Sequence, residues 1–288
     1  MYEVIKNYRE NNQLRKSFNE LAEKTFGLNF EDWYQNGYWG ENYNPYSIVQ
    51  DGKVVANVSV NTTNIMWNGV KKHFIQLGTV MTEEACRKQG MIRRIMEEIE
   101  KDYREKVDGM YLFANDEVLD FYPKFGFQKA VEFQYTKQSC NTNNRTRVQI
   151  PMKEKEAWKE LEQAINTNRF YGQFDMVDNS ELILFYVTKF MQENVFYDKT
   201  TDTYVIAEIE GGELFIHNIF SKNEVDLDDV IKAFGAEIKQ VTLGFTPKIK
   251  SGYTEKEVQE EDTTLFVKGD GFVAFNGEKV MFPTLAHA

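Results

Sequence analysis

Cysteine, histidine and positive charge are all scarce in this chain of 288 residues. Only two cysteines occur, Cys86 and Cys140. They have neither the spacing of a disulfide framework nor that of a metal site, which points to a reducing compartment, the cytoplasm. The three histidines join no His/Cys/Asp cluster with ligand spacing, so no metal is expected. Lys and Arg number 34 against 45 Asp and Glu, a net charge of −11. A polyanion is repelled by such a surface, so nucleic acid is not expected as a partner. No apolar run approaches the ~20 residues that span a bilayer. The N-terminus, Met-Tyr-Glu-Val-Ile-Lys, lacks the apolar stretch of a signal peptide, so no membrane partner is expected either.

Aromatic residues, by contrast, reach 14%. They serve either a core rich in Phe and Tyr or, in part, an aromatic-lined pocket. The length suits two ordinary domains. Leu14, Phe18, Leu21, Ala22 and Phe26 share one helical face, and Gly27 can stop that helix. An aromatic stretch follows, with Trp33, Tyr34, Tyr38, Trp39 and Tyr43. Asp51-Gly52 and Asn68-Gly69 each sit between alternating segments and predict hairpins. After Gly90, Ile92, Ile95, Met96 and Ile99 mark an amphipathic helix, closed by Asp108-Gly109. The apolar run 110–114 reads as a strand covered on both faces, and the strand–helix–strand order makes a parallel crossover.

Polar residues 138–147 mark the best boundary, giving units at 1–137 and 148–288. The second unit shows helix patterns near 153–167 and 180–193 and a hairpin around Gly211-Gly212. Beyond these come a helix from Asp226, strands near 240–245 and 264–267, and a short hairpin over Asn276-Gly277. This order repeats that of the first unit, so a degenerate copy of one fold is expected.

Two segments carry chemistry. In Arg87-Lys-Gln-Gly-Met-Ile-Arg93, two cations and a glycine precede a helix start. Unpaired backbone N–H groups there attract phosphate, and glycine lets the backbone approach closely. Alone, such a loop also fits any entry into an amphipathic helix. The second segment is Asn115-Asp-Glu-Val-Leu-Asp-Phe-Tyr-Pro-Lys-Phe-Gly-Phe127. Alone, its Tyr122 also fits a tyrosine that only packs.

In this order and separation the two segments resemble the acetyl-CoA site of GCN5-related N-acetyltransferases. Arg87 and Gly90 match the family's (Arg or Gln)-x-x-Gly-x-(Gly or Ala) signature, and Ile92 departs from its last position. Larger aliphatics stand there in the two- and three-domain, enhanced-intracellular-survival branch. Upstream, Glu84 and Cys86 replace the family's proline and aromatic residue, and Glu83 and Glu84 add negative charge beside a phosphate. Asn115, Phe121, Tyr122, Lys124, Gly126 and Phe127 match the second motif, with Val118 in place of a small residue.

The resemblance covers residues 1–137 in detail and the rest by architecture. It implies a mixed α/β acyl-CoA N-acyltransferase fold in tandem, with a degenerate second copy. Val80, Met81 and Thr82 would line the pantetheine arm. Arg87, Lys88, Gln89, Gly90, Met91, Ile92 and Arg93 would take the pyrophosphate, and Asn115 and Phe121 would complete the cofactor contacts. Tyr122 would be the general acid that protonates the leaving thiolate. The loop 220–227, Phe-Ser-Lys-Asn-Glu-Val-Asp-Leu, has no basic-x-x-Gly pattern, so the second unit should bind no coenzyme A.

The base that takes the amine proton is not fixed by sequence. His73 and Glu41 are candidates, though a surface role suits both, and His217 reads as a sheet residue. In three-domain relatives the terminal carboxylate is the base. Here an apolar tail, 281–288, can tuck against the first unit, which makes Ala288 a third candidate. The expected acceptor is a small cationic amine. An amino acid, peptide or protein lysine stays open, as do a regulatory acyl-CoA-binding module and a scaffold that uses neither site.

Overall fold

A computed structural model of the chain describes residues 2–140, 142–169 and 172–287. The strands of the N-terminal half are β1 (Val4–Ile5), β2 (Tyr43–Gln50), β3 (Lys53–Trp67), β4 (Val70–Thr82), β5 (Gly109–Ala114), β6 (Gln128–Lys129), β7 (Phe133–Gln138) and β8 (Val148–Gln149). Those that follow are β9 (Phe174–Val177), β10 (Val195–Asp198), β11 (Thr203–Glu210), β12 (Glu213–Ser221), β13 (Gln240–Leu243), β14 (Thr254–Glu257) and β15 (Thr264–Lys268). The helices are α1 (Asn12–Phe26), α2 (Glu31–Gln35), α3 (Met91–Tyr103), α4 (Lys155–Asn166), α5 (Ser180–Lys189), α6 (Leu227–Lys232) and α7 (Phe275–Glu278).

Two mixed sheets form. The first runs β1-β2-β3-β4-β5-β15-β6, with β9 added to the far end of β3; the second runs β14-β7-β13-β12-β11-β10-β8. Local chemistry sets the hairpins. Asp51 and Gly52, and Asn68 and Gly69, all have left-handed φ between +49° and +79°, as the tight turns of twisted hairpins require. Gly27 likewise ends α1 at φ 69°, while the Asn11 side chain accepts from the Gln13 and Leu14 amides at its start. β4 and β5 are parallel across the α3 crossover. On α3, Met91, Ile95, Met96 and Ile99 are buried against the first sheet.

The sheets exchange strands. β7 leaves the first half of the chain and pairs with β13 and β14 in the second sheet. β15 returns and pairs antiparallel with both β5 and β6 in the first. Neither sheet is therefore built from one contiguous stretch of chain.

The hairpin expected over Asn276-Gly277 does not form. Residues 275–278 are a helical turn, because Phe272 and Phe275 are buried in the aromatic cluster under the first sheet and that burial overrides the local turn preference. Beyond it the tail runs between the two sheets. The Phe282 ring stacks on Tyr111 with centroids 4.0 Å apart, and the Phe282 amide donates to the Glu132 carboxylate at 2.8 Å.

In the second sheet the parallel pairing of β12 and β13 stops at Ile216–Leu243. The tail fills the gap beyond: the Thr284 amide donates to the Gly244 carbonyl at 2.8 Å, and the Thr284 hydroxyl meets His217 Nδ1 at 2.8 Å.

Candidate functional site

The site begins with a strand that cannot stay straight. Opposite β3, Gly78 pairs with Ser59 and Met81 with Asn57, so Thr79 and Val80 face Val58 alone. This is a β-bulge, with Thr79 at φ 46°. A buried polar chain holds it. Asn57 donates through Nδ2 to the Thr79 carbonyl at 2.9 Å and accepts from the Ser47 hydroxyl at 2.7 Å, and Ser47 meets the Tyr8 hydroxyl at 2.6 Å. The Tyr43 hydroxyl meets Thr79 Oγ1 at 2.6 Å.

Pairing of β4 with β5 ends at Gln76–Tyr111, and the strands part from there. Between them lies a cleft of about 410 Å³, lined by Leu77, Thr79, Val80, Ile92, Phe113, Asn115, Phe121 and Tyr122 among others. Val80, Ile92, Asn115, Phe121 and Tyr122 of the sequence-predicted site thus come together in one hollow. Tyr122 is 5% exposed, and burial pushes its hydroxyl up to about 12, so it keeps its proton at neutral pH. A helical turn over Tyr122–Phe125 presents it, ending at Gly126 with φ 84°.

At the mouth, α3 starts from Gly90 at φ 79° with no side-chain cap, so its first amides are unclaimed by a capping residue. A Cβ on Gly90 would meet nothing within 4 Å, which leaves the approach to those amides open. Arg87, Lys88 and Gln89 are exposed beside it. Glu83, a source of unfavourable charge in the sequence, pairs with Lys24 on α1, which holds its carboxyl below the usual range. This combination suits a pyrophosphate. Met81 and Met91 bury their side chains in the core, leaving their backbone for any ligand. Thr82 is half-buried at the end of β4. Arg93 lies over the Phe125 ring and borders a separate hollow with Lys124 and Lys268.

A second cavity, of about 270 Å³, adjoins the cleft. Its walls come from both halves of the chain: Phe26, Phe30, Trp33 and Tyr43 on one side, Met176, Leu182, Phe185 and Tyr186 on the other. Phe185 stacks on Phe30 at 5.5 Å, and the Trp33 indole donates to the Glu181 carbonyl at 3.0 Å. Of the aromatic stretch, Trp33 and Tyr43 face this cavity. Trp39 is buried in the core, and Tyr34 lies under the Arg15 guanidinium.

One half-buried carboxylate, Glu181, sits in the apolar wall, and burial raises it above the usual range. Phe26, Thr79 and His287 border both cavities. The His287 ring stacks on Phe113 at 3.7 Å, and its carbonyl accepts from the Tyr186 hydroxyl at 2.5 Å.

The candidate bases separate clearly. His73 is exposed, with Nδ1 2.6 Å from Asn64 Oδ1, and Glu41 is exposed and paired with Arg9. Neither lines either cavity. Ala288 lies outside the described residues. His217 is a sheet residue bonded to the tail. Among the described residues no group of three or more His, Cys, Asp or Glu side chains is placed to hold a metal ion, and no helix is long and apolar enough to cross a membrane. Sequence reasoning missed Thr79, His287, Glu181 and the α5 aromatics. The one local signal was Gly78-Thr79, an interruption in an otherwise regular strand.

Residues 9–130 match the family model of the acetyltransferase (GNAT) domain. No curated protein sequence matches the chain. Among solved structures, a probable N-acyltransferase from Enterococcus faecalis V583 is similar with a TM-score of 0.62 and 15% identity, over 93% of this chain and 72% of that one. Eis1 from Mycobacterium abscessus gives 0.58 and 11%, over 93% and 73%. A GCN5-related N-acetyltransferase from Kribbella flavida gives 0.56 and 14%, over 92% and 71%. At such identities the likeness speaks for the fold, and the domain match speaks for residues 9–130. The acetyltransferase (GNAT) domain match thus lies within residues 9–130, and the chain as a whole, with its two mixed sheets, shares the fold of these structures.

Proposed function

We propose that this protein transfers an acetyl group from acetyl-CoA to the primary amine of a small acceptor, with Tyr122 as the acid. The observation that supports this is the meeting of the two cavities at Phe26, Thr79 and His287. Pantetheine entering between β4 and β5 finds backbone groups freed by the splay, and its thioester end points toward the bulge. An amine in the second cavity then reaches the thioester carbonyl from the other side. The amine nitrogen attacks, the C–S bond breaks, and the sulfur takes the Tyr122 proton. Both partners are held in a largely apolar, water-poor space, which strengthens each polar contact.

The catalytic unit is assigned to 1–137, with a linker over 138–147. The companion unit, 148–288, lends α5 and β15. Its own splay is filled by the tail, which accords with its lacking a cofactor loop. The cavity favours an acceptor with an apolar or aromatic body and a cationic end, for which Glu181 is the counter-charge. The free thiols Cys86 and Cys140 are compatible with a cytoplasmic setting.

The test is calorimetric titration of acetyl-CoA into wild type and Tyr122→Phe. Thiol release is followed in parallel with 2-phenylethylamine, tryptamine, spermidine and lysine. Equal binding by both proteins is expected, with release slowed about 10²–10⁴-fold in the variant. Absence of binding by either protein overturns the assignment. Equal release by both removes Tyr122 as the acid.

A further inference from the structure

Among the described residues the two cavities share three, Phe26, Thr79 and His287, and one of these can exchange a proton with a substrate. Phe26 has no polar atom, and the Thr79 hydroxyl is engaged by Tyr43. His287 remains. It borders both the acceptor cavity and the cofactor cleft, and its ring stacks on Phe113 of the cleft wall. We propose that the His287 imidazole takes the proton lost by the acceptor nitrogen during acyl transfer, which makes it a catalytic residue of the reaction proposed above.

The tail is built to hold that ring in place. Phe282 and Leu285 anchor it in two separate cores. The Tyr186 hydroxyl fixes the His287 carbonyl, and Phe113 stacks on the ring from the cofactor side. A general base must be oriented before it can act, and a side chain clamped at both backbone and ring meets that need. Burial pushes the imidazole down to about 4, so a ring nitrogen keeps a free lone pair throughout the neutral range. Such an imidazole is a weak base toward a free ammonium ion. It is suited instead to the far more acidic N–H of the nitrogen once it has bonded to the carbonyl carbon.

The other ionisable groups are placed for other tasks. Glu181 and Asp178 line only the acceptor cavity, and Glu117 and Tyr122 line only the cofactor cleft. The steps balance. The nitrogen lone pair forms the C–N bond, the C–S bond breaks, and Tyr122 protonates the sulfur. His287 receives one proton from nitrogen, and solvent returns it to the tyrosinate. The net products are an amide and free thiol.

The proposal rests on the acetyl-transfer assignment, so the experiment has two arms. Acetyl-CoA binding to the wild type, and thiol release with 2-phenylethylamine and tryptamine, test that assignment first. His287→Ala and the near-isosteric His287→Gln test the residue. Both variants should bind acetyl-CoA within about twofold of wild type while kcat falls about 10²–10³-fold. Free imidazole should restore at least a tenth of the lost rate to the alanine variant, which a purely structural role would not allow. A chain with two glycines inserted after Ala288 should keep its rate within threefold.

Full activity in His287→Gln overturns the proposal, as does loss of activity in the extended chain alone. Wild type that binds no acetyl-CoA, or releases no thiol with any amine, overturns the underlying assignment and the proposal with it.

Discussion

Asn57→Ala attacks the bulge without touching any surface a substrate would meet. Asn57 is fully buried, and its amide makes three hydrogen bonds: from Ser47 Oγ at 2.7 Å, to Ser59 Oγ at 3.0 Å, and to the Thr79 carbonyl at 2.9 Å. Truncation removes all three. The Ser47 hydroxyl keeps its contact with Tyr8, and hydroxyls rotate to new partners. The Thr79 carbonyl, fixed in the bulge, has no such freedom. A buried acceptor left without its donor costs about 1–3 kcal/mol. The void left by the lost amide adds roughly 1 kcal/mol. A loss of about 2–4 kcal/mol is therefore expected in urea unfolding, with the slope against denaturant unchanged. Acetyl-CoA binding should weaken as well, because β4 can relax toward unbroken pairing and narrow the cleft. An unfolding free energy within about 0.5 kcal/mol of wild type, the range of an ordinary surface change, would refute the account of how the splay is held open.

Four further outcomes follow from the same structure. Gly90→Val should weaken acetyl-CoA binding with little loss of stability elsewhere. The added Cβ meets nothing within 4 Å, but a β-branched residue is strained at φ 79°, so calorimetry on the folded variant isolates the loop. Phe282→Ala should cost about 3–5 kcal/mol by chemical denaturation, since the ring is fully buried against Tyr111.

Glu132 is buried and pushed up to about 8, whereas an unfolded glutamate titrates near ~4.3. The folded state therefore holds a proton that the unfolded state releases. Its stabilising effect is complete below pH ~4.3, fades as pH rises toward about 8, and changes no further above that. Glu132→Gln should flatten that decline in pH-dependent urea titrations. A shallower slope should persist up to about 7 from Asp175, which burial shifts in the same direction. Finally, a fragment of residues 1–150 should fail to give a cooperative unfolding transition, because without β15 the strand β6 loses its partner in the first sheet and β5 keeps only its short pairing with β4.

Sequence alone determined the parts whose causes are local. Asp51-Gly52 and Asn68-Gly69 make their turns because their own φ preferences suffice. The 3.6-residue spacing of Ile92, Ile95, Met96 and Ile99 makes α3, and the glycine before it opens the amides that suit a phosphate. Tyr122 stood out only through the resemblance of residues 115–127 to the family's second motif, since alone it also fits a tyrosine that only packs.

The tertiary structure decided the rest. Asn276-Gly277 has the same turn chemistry as the true hairpins, yet burial of Phe272 and Phe275 coils it instead. The exchange of β7 and β15 depends on which edge is free when the halves meet, and no window of sequence contains both edges. His287 stands apart from the motifs by more than 150 residues of chain. Only the packing of Phe282 and Leu285 between two sheets carries it to the place where the cavities join.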